Sequence, residues 1–286
     1  MLMHKYCHNI YTFSILIVAY SIFVCYYGLN RKVIVNNNST QLNNIYSFNN
    51  NNDNTTITSL NLIIAHPDDE VMFFNPIINA LNYVYNEKTD NTNNHSDTIL
   101  RVICLSNGNA DGLGDIRYHE LHNSLKALWS NHDNLQIHVA NFTDSMEIYW
   151  DSNAIDQYIK SNNIIPDPNP LFITFDERGI SNHPNHISCY NYVKHYISTE
   201  NEKNNAHALI LQSPSFAEKY SSIWKVPFIL FRTSTNTNTL TFVNSIHDWI
   251  FALGVMSQKH YSQMVWFRFL WWTFSSLVFY NTFTYI

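Results

Sequence analysis

Residues 61–70 read NLIIAHPDDE, an apolar run that turns abruptly into a polar one. Its apolar half, rich in Leu and Ile, predicts a buried strand that spans Asn61–Ala65. The polar half predicts a loop, and the helix-like run Val71–Tyr85 follows it directly. A buried strand, a polar loop and a helix make up the first part of a βαβ unit, so this stretch predicts an α/β protein.

The same alternation continues along the chain. The strand-like runs are Asn61–Ala65, Ile99–Ser106, Gln136–Val139, Leu171–Phe175, Ala208–Gln212 and Phe228–Phe231. The helix-like runs are Val71–Tyr85, Ile116–Trp129, Asn153–Ser161, Asn185–Ser198 and Val243–Gln258. This order predicts a Rossmann-like, mostly parallel sheet flanked by helices, with functional residues at the carboxyl ends of the strands.

The composition is short of charge and rich in aromatic residues. Of 286 residues, 13% are charged and 15% aromatic, and the net charge is −6. A mildly acidic chain with scattered Lys and Arg argues against nucleic acid as a partner. The four cysteines include no CxxC pair, which excludes a cysteine zinc cluster. A membrane protein and an enzyme with apolar appendages both fit this composition.

The N-terminal region predicts a membrane anchor followed by a tether. The uncharged run Ile10–Leu29 is long enough to cross a bilayer as a helix, so we assign residues 1–32 to an anchor. A cleaved signal peptide is the alternative. Residues 33–58 are rich in Asn and predict a flexible linker, and the Asn-rich stretch Asn86–Asp97 predicts a surface loop.

The C-terminal segment predicts a second membrane contact. Residues 263–286 carry one charge, Arg268, among many aromatic residues. We expect a tail that lies at the membrane interface, outside a catalytic domain that covers residues 59–262. A second membrane span and a C-terminal helix docked on the domain are the alternatives.

The loop at 66–70 carries the first group of candidate ligands. His66 and Asp69 are three residues apart, so one turn can direct an imidazole and a carboxylate at the same point. Those are good zinc ligands, and Asp68 is left free to face a metal-bound water. The alternative is an acidic helix start with a capping Asp, and Glu70 by itself suits the positive N-terminus of the helix.

A second polar loop follows the strand-like run that ends at Asp176. It contains His183 and His186, three residues apart. One of these histidines could complete a site with two His and one carboxylate. The other could polarise a substrate carbonyl or protonate a leaving amine.

Three segments carry a family resemblance: AHPDDEVMFF at 65–74, SNGNADGLGDIRYHEL at 106–121 and TFDERGISNHPNHISCY at 174–190. They resemble the LmbE-like zinc deacetylases. Together with LILQSPSFAEKYSSIW at 209–224 and HYSQMVWFRFL at 260–270, they resemble the eukaryotic membrane branch that acts on N-acetylglucosaminylphosphatidylinositol in GPI-anchor synthesis. The resemblance runs from about Leu60 to Arg268, with the insertion at Asn86–Asp97 outside it.

The resemblance implies a role for each residue of the two loops. It implies Zn²⁺ as the cofactor, although another divalent metal is possible in vivo, with His66, Asp69 and His186 as its ligands. It also implies Asp68 as the general base. His183 would stabilise the oxyanion or act as the acid.

Two further residues are assigned by the resemblance and by side-chain chemistry. Arg117, followed three residues later by Glu120, matches a segment near the substrate pocket, and its guanidinium suits the inositol phosphate. A surface ion pair between Arg117 and Glu120 is the alternative. Asp176 is expected to hydrogen-bond behind the metal ligands.

The expected function is zinc-dependent removal of acetate from N-acetylglucosaminylphosphatidylinositol. The expected partners are a lipid-linked sugar and the membrane, without nucleic acid. The branch implies the endoplasmic reticulum membrane with a cytosolic catalytic domain, which the weak charge bias around the anchor does not contradict. The alternatives are a deacetylase of a soluble N-acetylglucosaminyl conjugate and a catalytically silent membrane-complex subunit.

Overall fold

The computed structural model describes Ile15 and residues 17–21, 33–35, 57–87, 98–200, 205–231 and 239–286. The predicted span over 10–29 lies mostly outside these ranges, and the part inside them is helical. Most of the predicted linker and of the insertion at Asn86–Asp97 also lies outside them. The start of the predicted linker is wrong, because Val33–Val35 forms a strand of the sheet. Within the described ranges, no helix combines the length and the apolar character that a bilayer crossing requires.

An eight-stranded mixed sheet organises the described chain. Its strands are β1 Val33–Val35, β2 Ser59–Ile64, β3 Ile99–Cys104, β4 Leu135–Val139, β5 Pro170–Phe175, β6 His207–Leu211, β7 Thr239–Val243 and β8 Tyr280–Tyr285. They lie in the order β1-β7-β8-β6-β5-β2-β3-β4. The strands from β6 to β4 are parallel, whereas the β6–β8, β8–β7 and β7–β1 pairs are antiparallel.

The register of the parallel strands brings the two polar loops to one edge. Ile64 at the end of β2 pairs with Cys104 at the end of β3, and β5 pairs with the other side of β2. Both β2 and β5 are buried along their whole length, as expected for central strands covered on both faces. The loops after β2 and β5 are therefore neighbours.

Ten α-helices connect or flank the strands of the described ranges from residue 57 onward. They are α1 Asp69–Met72, α2 Asn75–Asn82, α3 Gly114–Leu128, α4 Ser152–Ser161, α5 Gly179–Asn182, α6 Pro184–Glu200, α7 Phe216–Lys219, α8 Val226–Phe231, α9 Ile246–Lys259 and α10 Trp266–Phe274. Local sequence fixes several of their ends. Ser245 and Asp248 form a reciprocal capping box at the start of α9, and Asp151 caps α4.

The predicted fold class is confirmed for the sheet and its helices, with corrections to individual elements. The predicted strand Phe228–Phe231 is wrong, because these residues end helix α8. Pro227 suits the first turn of a helix, and a short apolar run does not by its period separate strand from helix. The predicted helix Val71–Tyr85 is broken at Phe73–Phe74 into α1 and α2, with Pro76 in the first turn of α2.

The C-terminal segment also needs correction. Residues 263–286 do not form a separate tail, because Tyr280–Tyr285 is strand β8 between β6 and β7. Leu277, Val278 and Phe283 are buried in the hydrophobic core. The predicted domain boundary after residue 262 would therefore separate β8 from the rest of its sheet. Only α10, whose Trp266 is 75% exposed, keeps the exposed aromatic character that was predicted for the whole segment.

Candidate metal centre

The loop after β2 folds back on itself. The Oδ2 atom of Asp69 accepts hydrogen bonds from the backbone N–H groups of Ala65 and His66, at 3.0 and 2.9 Å. These bonds close the turn, and the other oxygen of the carboxylate, Oδ1, faces His186. Asp68, at the apex, has φ of 122°, a value that residues with a side chain rarely adopt. Such backbone strain is concentrated at functional sites.

The loop after β5 delivers the second pair of histidines. Gly179 has φ of 51°, and a Cβ atom there would lie 2.8 Å from Cβ of His186, so the close approach requires glycine. The carbonyl oxygen of Gly179 lies 3.1 Å from Nδ1 of His186. Helix α6 begins at Pro184, in the first-turn position that suits proline.

The structure brings the three predicted ligands together. Nε2 of His186 lies 3.3 Å from Nδ1 of His66 and 3.4 Å from Oδ1 of Asp69. Nδ1 of His66 lies 3.8 Å from Oδ2 of Asp69. Ligands bound tetrahedrally at zinc distances of about 2.0–2.1 Å would be separated by roughly 3.3 Å, so the spacing fits such a metal.

The outer nitrogens of the two imidazoles determine which atoms face the centre. Nε2 of His66 lies 3.1 Å from both Oδ1 of Asp144 and Oδ1 of Asn185, and Nδ1 of His186 faces the carbonyl of Gly179. Because all three partners are acceptors, these outer nitrogens carry the protons of the neutral rings. The inner nitrogens then present lone pairs to each other and to Asp69, an arrangement that a cation would stabilise.

The electrostatics of the pocket also favour positive charge. Burial opposes ionisation of Asp69, but the neighbouring His186 and His66 hold its pKa well below the usual range. Burial would lower the pKa of His66, but the hydrogen bond to Asp144 and the charge of Asp69 raise it. A site in which a carboxylate stays ionised and an imidazole gains proton affinity attracts a cation.

Asp68 lies beside this centre and between two guanidinium groups. Its Oδ1 atom is 3.6 Å from Nη2 of Arg117, and its Oδ2 atom accepts a hydrogen bond of 2.6 Å from Nη2 of Arg268. The side chain is buried. Asp68 is not part of the group that combines His66, Asp69 and His186.

His183 faces the same centre as a neutral side chain. Its ring centroid lies 4.8 Å from that of His66. Burial, together with the nearby His186 and His66, lowers its pKa to about 4. Nδ1 of His183 accepts a hydrogen bond from the backbone N–H of Asn185, so the ring proton is on Nε2. The side chain can therefore donate a hydrogen bond at neutral pH.

Arg117 lies inside the site, and the alternative of a surface pair with Glu120 is wrong. Nη1 and Nη2 of Arg117 donate to the carbonyl oxygens of Gly108 and Pro67, at 2.9 and 2.8 Å. The carboxylate of Glu120 instead accepts from the backbone and hydroxyl of Ser262. Arg117 thus joins the loop after β3 to the loop that carries Asp68.

Asp176 lies behind the second loop, and its contacts shape that loop. Its carboxylate accepts hydrogen bonds from the backbone and hydroxyl of Ser213, at 2.7 and 2.5 Å, and from the backbone of Arg178. Among the described residues, no recorded contact joins this carboxylate to His66, Asp69 or His186. The predicted hydrogen bond directly behind a ligand is therefore not observed.

Glu70 has a larger role than the helix-terminus interpretation gave it. Its carboxylate accepts hydrogen bonds from the backbone of Asp68 and from the hydroxyl of Ser124, at 3.0 and 2.6 Å. Its Oε1 atom lies 2.5 Å from Nε2 of His260, and both side chains are fully buried. Burial would lower the pKa of His260, but the charge and hydrogen bond of Glu70 raise it. Glu70 thus ties the apex of the first loop to α3 and to the end of α9.

Sequence reasoning assigned no role to several residues that contact the site, among them Asp144, His260 and Arg268. Asp144 follows β4 closely, so the strand-end rule could have found it, but its neighbours resemble no motif. His260 and Arg268 lie in the stretch HYSQMVWFRFL, which carried the resemblance without any assigned role. Their contacts to Glu70 and Asp68 join residues 190 and 200 positions apart.

The chain is similar in sequence to proteins of one family. The sequence profile of the family described as PIG-L, GlcNAc-PI de-N-acetylase, matches residues 61–197. The N-acetylglucosaminyl-phosphatidylinositol de-N-acetylase of Saccharomyces cerevisiae is 35% identical over 256 residues, which cover 78% of this chain and 80% of the relative. A protein of Dictyostelium discoideum, named as a probable enzyme of the same activity, is 34% identical over 82% of this chain and 96% of its own length.

A solved structure shows the same fold at low sequence identity. The crystal structure of the antimicrobial-reagent pseudoaglycone deacetylase Dbv21 superposes with a TM-score of 0.50 and 13% identity. The match covers 80% of this chain and 97% of that protein. At this level of identity, the similarity supports the fold assignment alone.

Proposed function

The chain belongs to the PIG-L family of GlcNAc-PI de-N-acetylases, and we propose that it removes the acetyl group from N-acetylglucosaminylphosphatidylinositol. The products are glucosaminylphosphatidylinositol and acetate, in an early step of GPI-anchor synthesis. One observation carries the proposal beyond the family name. The side chains of His66, Asp69 and His186 converge with their lone pairs facing one another, and Asp68 lies beside them with its carboxylate free of that group.

We propose Zn²⁺ as the metal, held by His66, Asp69 and His186. A zinc ion held there would supply Lewis acidity to a carbonyl oxygen and would lower the pKa of a bound water to about 7. Nitrogen and carboxylate ligands at this spacing fit zinc, although another divalent metal is possible in vivo. Asp144, Asn185 and the carbonyl of Gly179 orient the two imidazoles from behind.

Asp68 is the proposed general base. Its carboxylate accepts a proton from the attacking water as the water oxygen bonds to the acetamide carbon. The carbon–nitrogen bond then breaks, and the same proton passes to the leaving amine of the glucosamine. The buried position of Asp68 and its anchored backbone support this role, because a base must be held within hydrogen-bond reach of the proton that it takes.

His183 is the proposed oxyanion donor. Its depressed pKa, about 4, means that the ring is neutral at pH 7, and its Nε2–H can donate a hydrogen bond. This favours stabilisation of negative charge on the acetamide oxygen over protonation of the leaving amine. Both roles were open from the sequence, and the low pKa of the ring supports the oxyanion donor.

We infer that the enzyme works at the membrane of the endoplasmic reticulum, with a cytosolic catalytic domain and the run Ile10–Leu29 as its anchor. The substrate keeps its acyl chains in the bilayer, so an enzyme for it must reach the lipid surface. Exposed aromatic side chains on α10 support a second contact, since such residues suit the membrane interface.

Acetate release tests the proposed function. Purified protein is incubated with N-acetylglucosaminylphosphatidylinositol in mixed micelles, with and without a chelator. We expect release that the chelator abolishes and added Zn²⁺ restores. Equal turnover of a water-soluble N-acetylglucosaminyl conjugate, without any response to lipid, would favour the soluble-substrate alternative. No acetate from either compound after metal loading would indicate a catalytically silent subunit.

A further inference from the structure

The strongest unassigned feature of the site is Arg268, the only charged residue of α10. On the basis of the proposed function, we propose that Arg268 binds the phosphodiester of the substrate. In doing so, its guanidinium leaves Asp68, and the carboxylate of the base is freed when the correct substrate is present. Arg268, rather than Arg117, is then the residue that recognises the inositol phosphate.

The hydrogen-bond donors of Arg268 are poorly matched in the structure. Its Nε atom is buried, and within the described residues it finds no acceptor. Its Nη1 atom contacts the thioether sulfur of Met72, which is a weak acceptor. Only Nη2 has a strong partner, Oδ2 of Asp68 at 2.6 Å. A guanidinium group whose Nε and Nη1 atoms lack strong acceptors is suited to a phosphate, which can accept hydrogen bonds from both atoms.

Arg117 is a weaker candidate for the same ligand. Its Nε atom also lacks an acceptor among the described residues, but both of its terminal nitrogens already donate to backbone carbonyls, those of Gly108 and Pro67. A Cβ atom at Gly108 would lie 2.5 Å from its guanidinium, so the loop packs tightly on it. Binding phosphate would require Arg117 to leave two carbonyl acceptors. We therefore assign it to the support of the Asp68 loop.

Arg268 lies on the same helix as the exposed aromatic side chains of α10. Its neighbours on α10 include Trp266 and Phe269, 75% and 57% exposed, whereas its own side chain turns inward to Asp68. Aromatic side chains of this kind lie at the headgroup level of a bilayer. The guanidinium thus lies between the proposed interfacial surface and the proposed base, where a sugar linked to a membrane phosphodiester must pass.

Two soluble competitors test the assignment. One is N-acetylglucosaminyl-inositol with a glycerophosphate, which keeps the phosphodiester without acyl chains. The other is N-acetylglucosaminyl-inositol without phosphate. Each competes against hydrolysis of the lipid substrate by the full-length protein, so the difference in inhibition constants isolates the phosphate. Inorganic phosphate is a third arm, which separates recognition of the substrate diester from general anion binding.

In the wild type, we expect the phosphodiester compound to compete about tenfold to a hundredfold more strongly than the phosphate-free compound, as for charge-assisted hydrogen bonds. Inorganic phosphate should compete weakly. Arg268→Gln should make the two sugar compounds equal. Arg268→Lys, which keeps the charge without the fork, should retain part of the preference. Lys126→Gln removes an exposed charge at the end of α3 and should leave the preference intact.

Several results would overturn the assignment. If Arg268→Gln slows lipid turnover but keeps the preference for the phosphodiester, Arg268 acts only through Asp68. If the wild type shows no preference, or if inorganic phosphate competes as well as the diester, Arg268 does not recognise the substrate phosphate. A wild type that releases no acetate from the lipid substrate instead contradicts the proposed function, and the assignment that rests on it fails as well. Thermal unfolding of each variant identifies one that fails to fold, in which case Arg268→Lys decides the outcome.

Discussion

Two regions that contact the same site differ in how they reach it. The first loop, residues 66–70, carries candidate ligand and base within one turn after β2. The C-terminal segment, taken together with the three residues before it as residues 260–286, contributes His260, Arg268 and the interior strand β8. The sequence assigned a role to each residue of the loop that carries the predicted ligands and base. It predicted residues 263–286 as a membrane-contacting tail and gave His260 no role.

This difference shows that a sequence motif predicts contacts within one turn and does not predict contacts between distant parts of the chain. In the first loop, the sequence spacing of His66 and Asp69 predicts their relative positions, because both lie within one turn. The C-terminal segment has no such local geometry, because its partners are Glu70 and Asp68, which the fold brings to it. If this contrast is correct, substitutions in the loop should lower the rate of acetate release. Substitutions in the C-terminal segment should lower either the free energy of unfolding or the binding to the membrane surface.

The largest effect is expected at Asp68. Asp68→Asn removes the proposed base, and acetate release should fall by about a hundredfold to ten-thousandfold, the contribution typical of a general base. Bound zinc, measured by atomic absorption, should be retained, because Asp68 is not among the proposed ligands. Asp133→Asn, an exposed residue before β4, is the matched control. A wild-type rate in Asp68→Asn would refute the proposed role.

The next largest effect separates the two halves of the C-terminal segment. Phe283→Ala removes a fully buried ring from β8 and should lower the free energy of unfolding by about 3–5 kcal/mol. Phe269→Ala, on the exposed face of α10, should change it by no more than about 0.5 kcal/mol. Urea titration measures both. Equal small changes would mean that β8 is not part of the folded core.

The pair that joins the two regions should give stability a pH dependence. The pKa of His260 is raised in the folded state, against about 6.5 when unfolded. The stabilisation is therefore fully present below that value and is lost as the pH rises through the raised pKa. His260→Gln should lower the free energy of unfolding by about 1.5–3 kcal/mol near pH 6, and the difference should shrink toward higher pH.

The control for this pH dependence is His119→Gln, which removes an exposed histidine of α3. Its unfolding free energy should follow the wild type across the same range. If the difference in unfolding free energy between the wild type and His260→Gln stays constant from mildly acidic to alkaline pH, the pKa of His260 is not raised in the folded state.

The smallest effect tests the exposed part of the segment. In full-length protein reconstituted into vesicles, bromine-labelled lipids should quench the fluorescence of Trp266, which is 75% exposed on α10. Trp266→Phe should remove the part of the quenched signal that Trp266 contributes. Trp150→Phe, a buried control, should leave quenching unchanged. Equal quenching in all three proteins would argue against membrane contact by α10.

Much of the sheet was predictable because a buried strand has a local signature. Five of the six predicted strands correspond to β2–β6, and the loops after β2 and β5 were identified as the site. Errors arose where the local signal was ambiguous. The short apolar run that ends at Phe231 is compatible with a strand and with a helix. Strand β8 is rich in aromatic residues, which a membrane-contacting tail would also contain.

The sequence by itself determined which side chains the candidate centre contains and the class of fold. His66, Asp69 and Asp68 lie within one turn, and a strand–loop–helix order places such a turn at the carboxyl edge of a parallel sheet. Only the tertiary structure decided which nitrogen of each histidine faces the centre, that Glu70 is buried against His260, and that Arg268 covers Asp68. The reason is physical: tautomers, burial and long-range pairs depend on partners that packing supplies, and neither spacing nor composition records them.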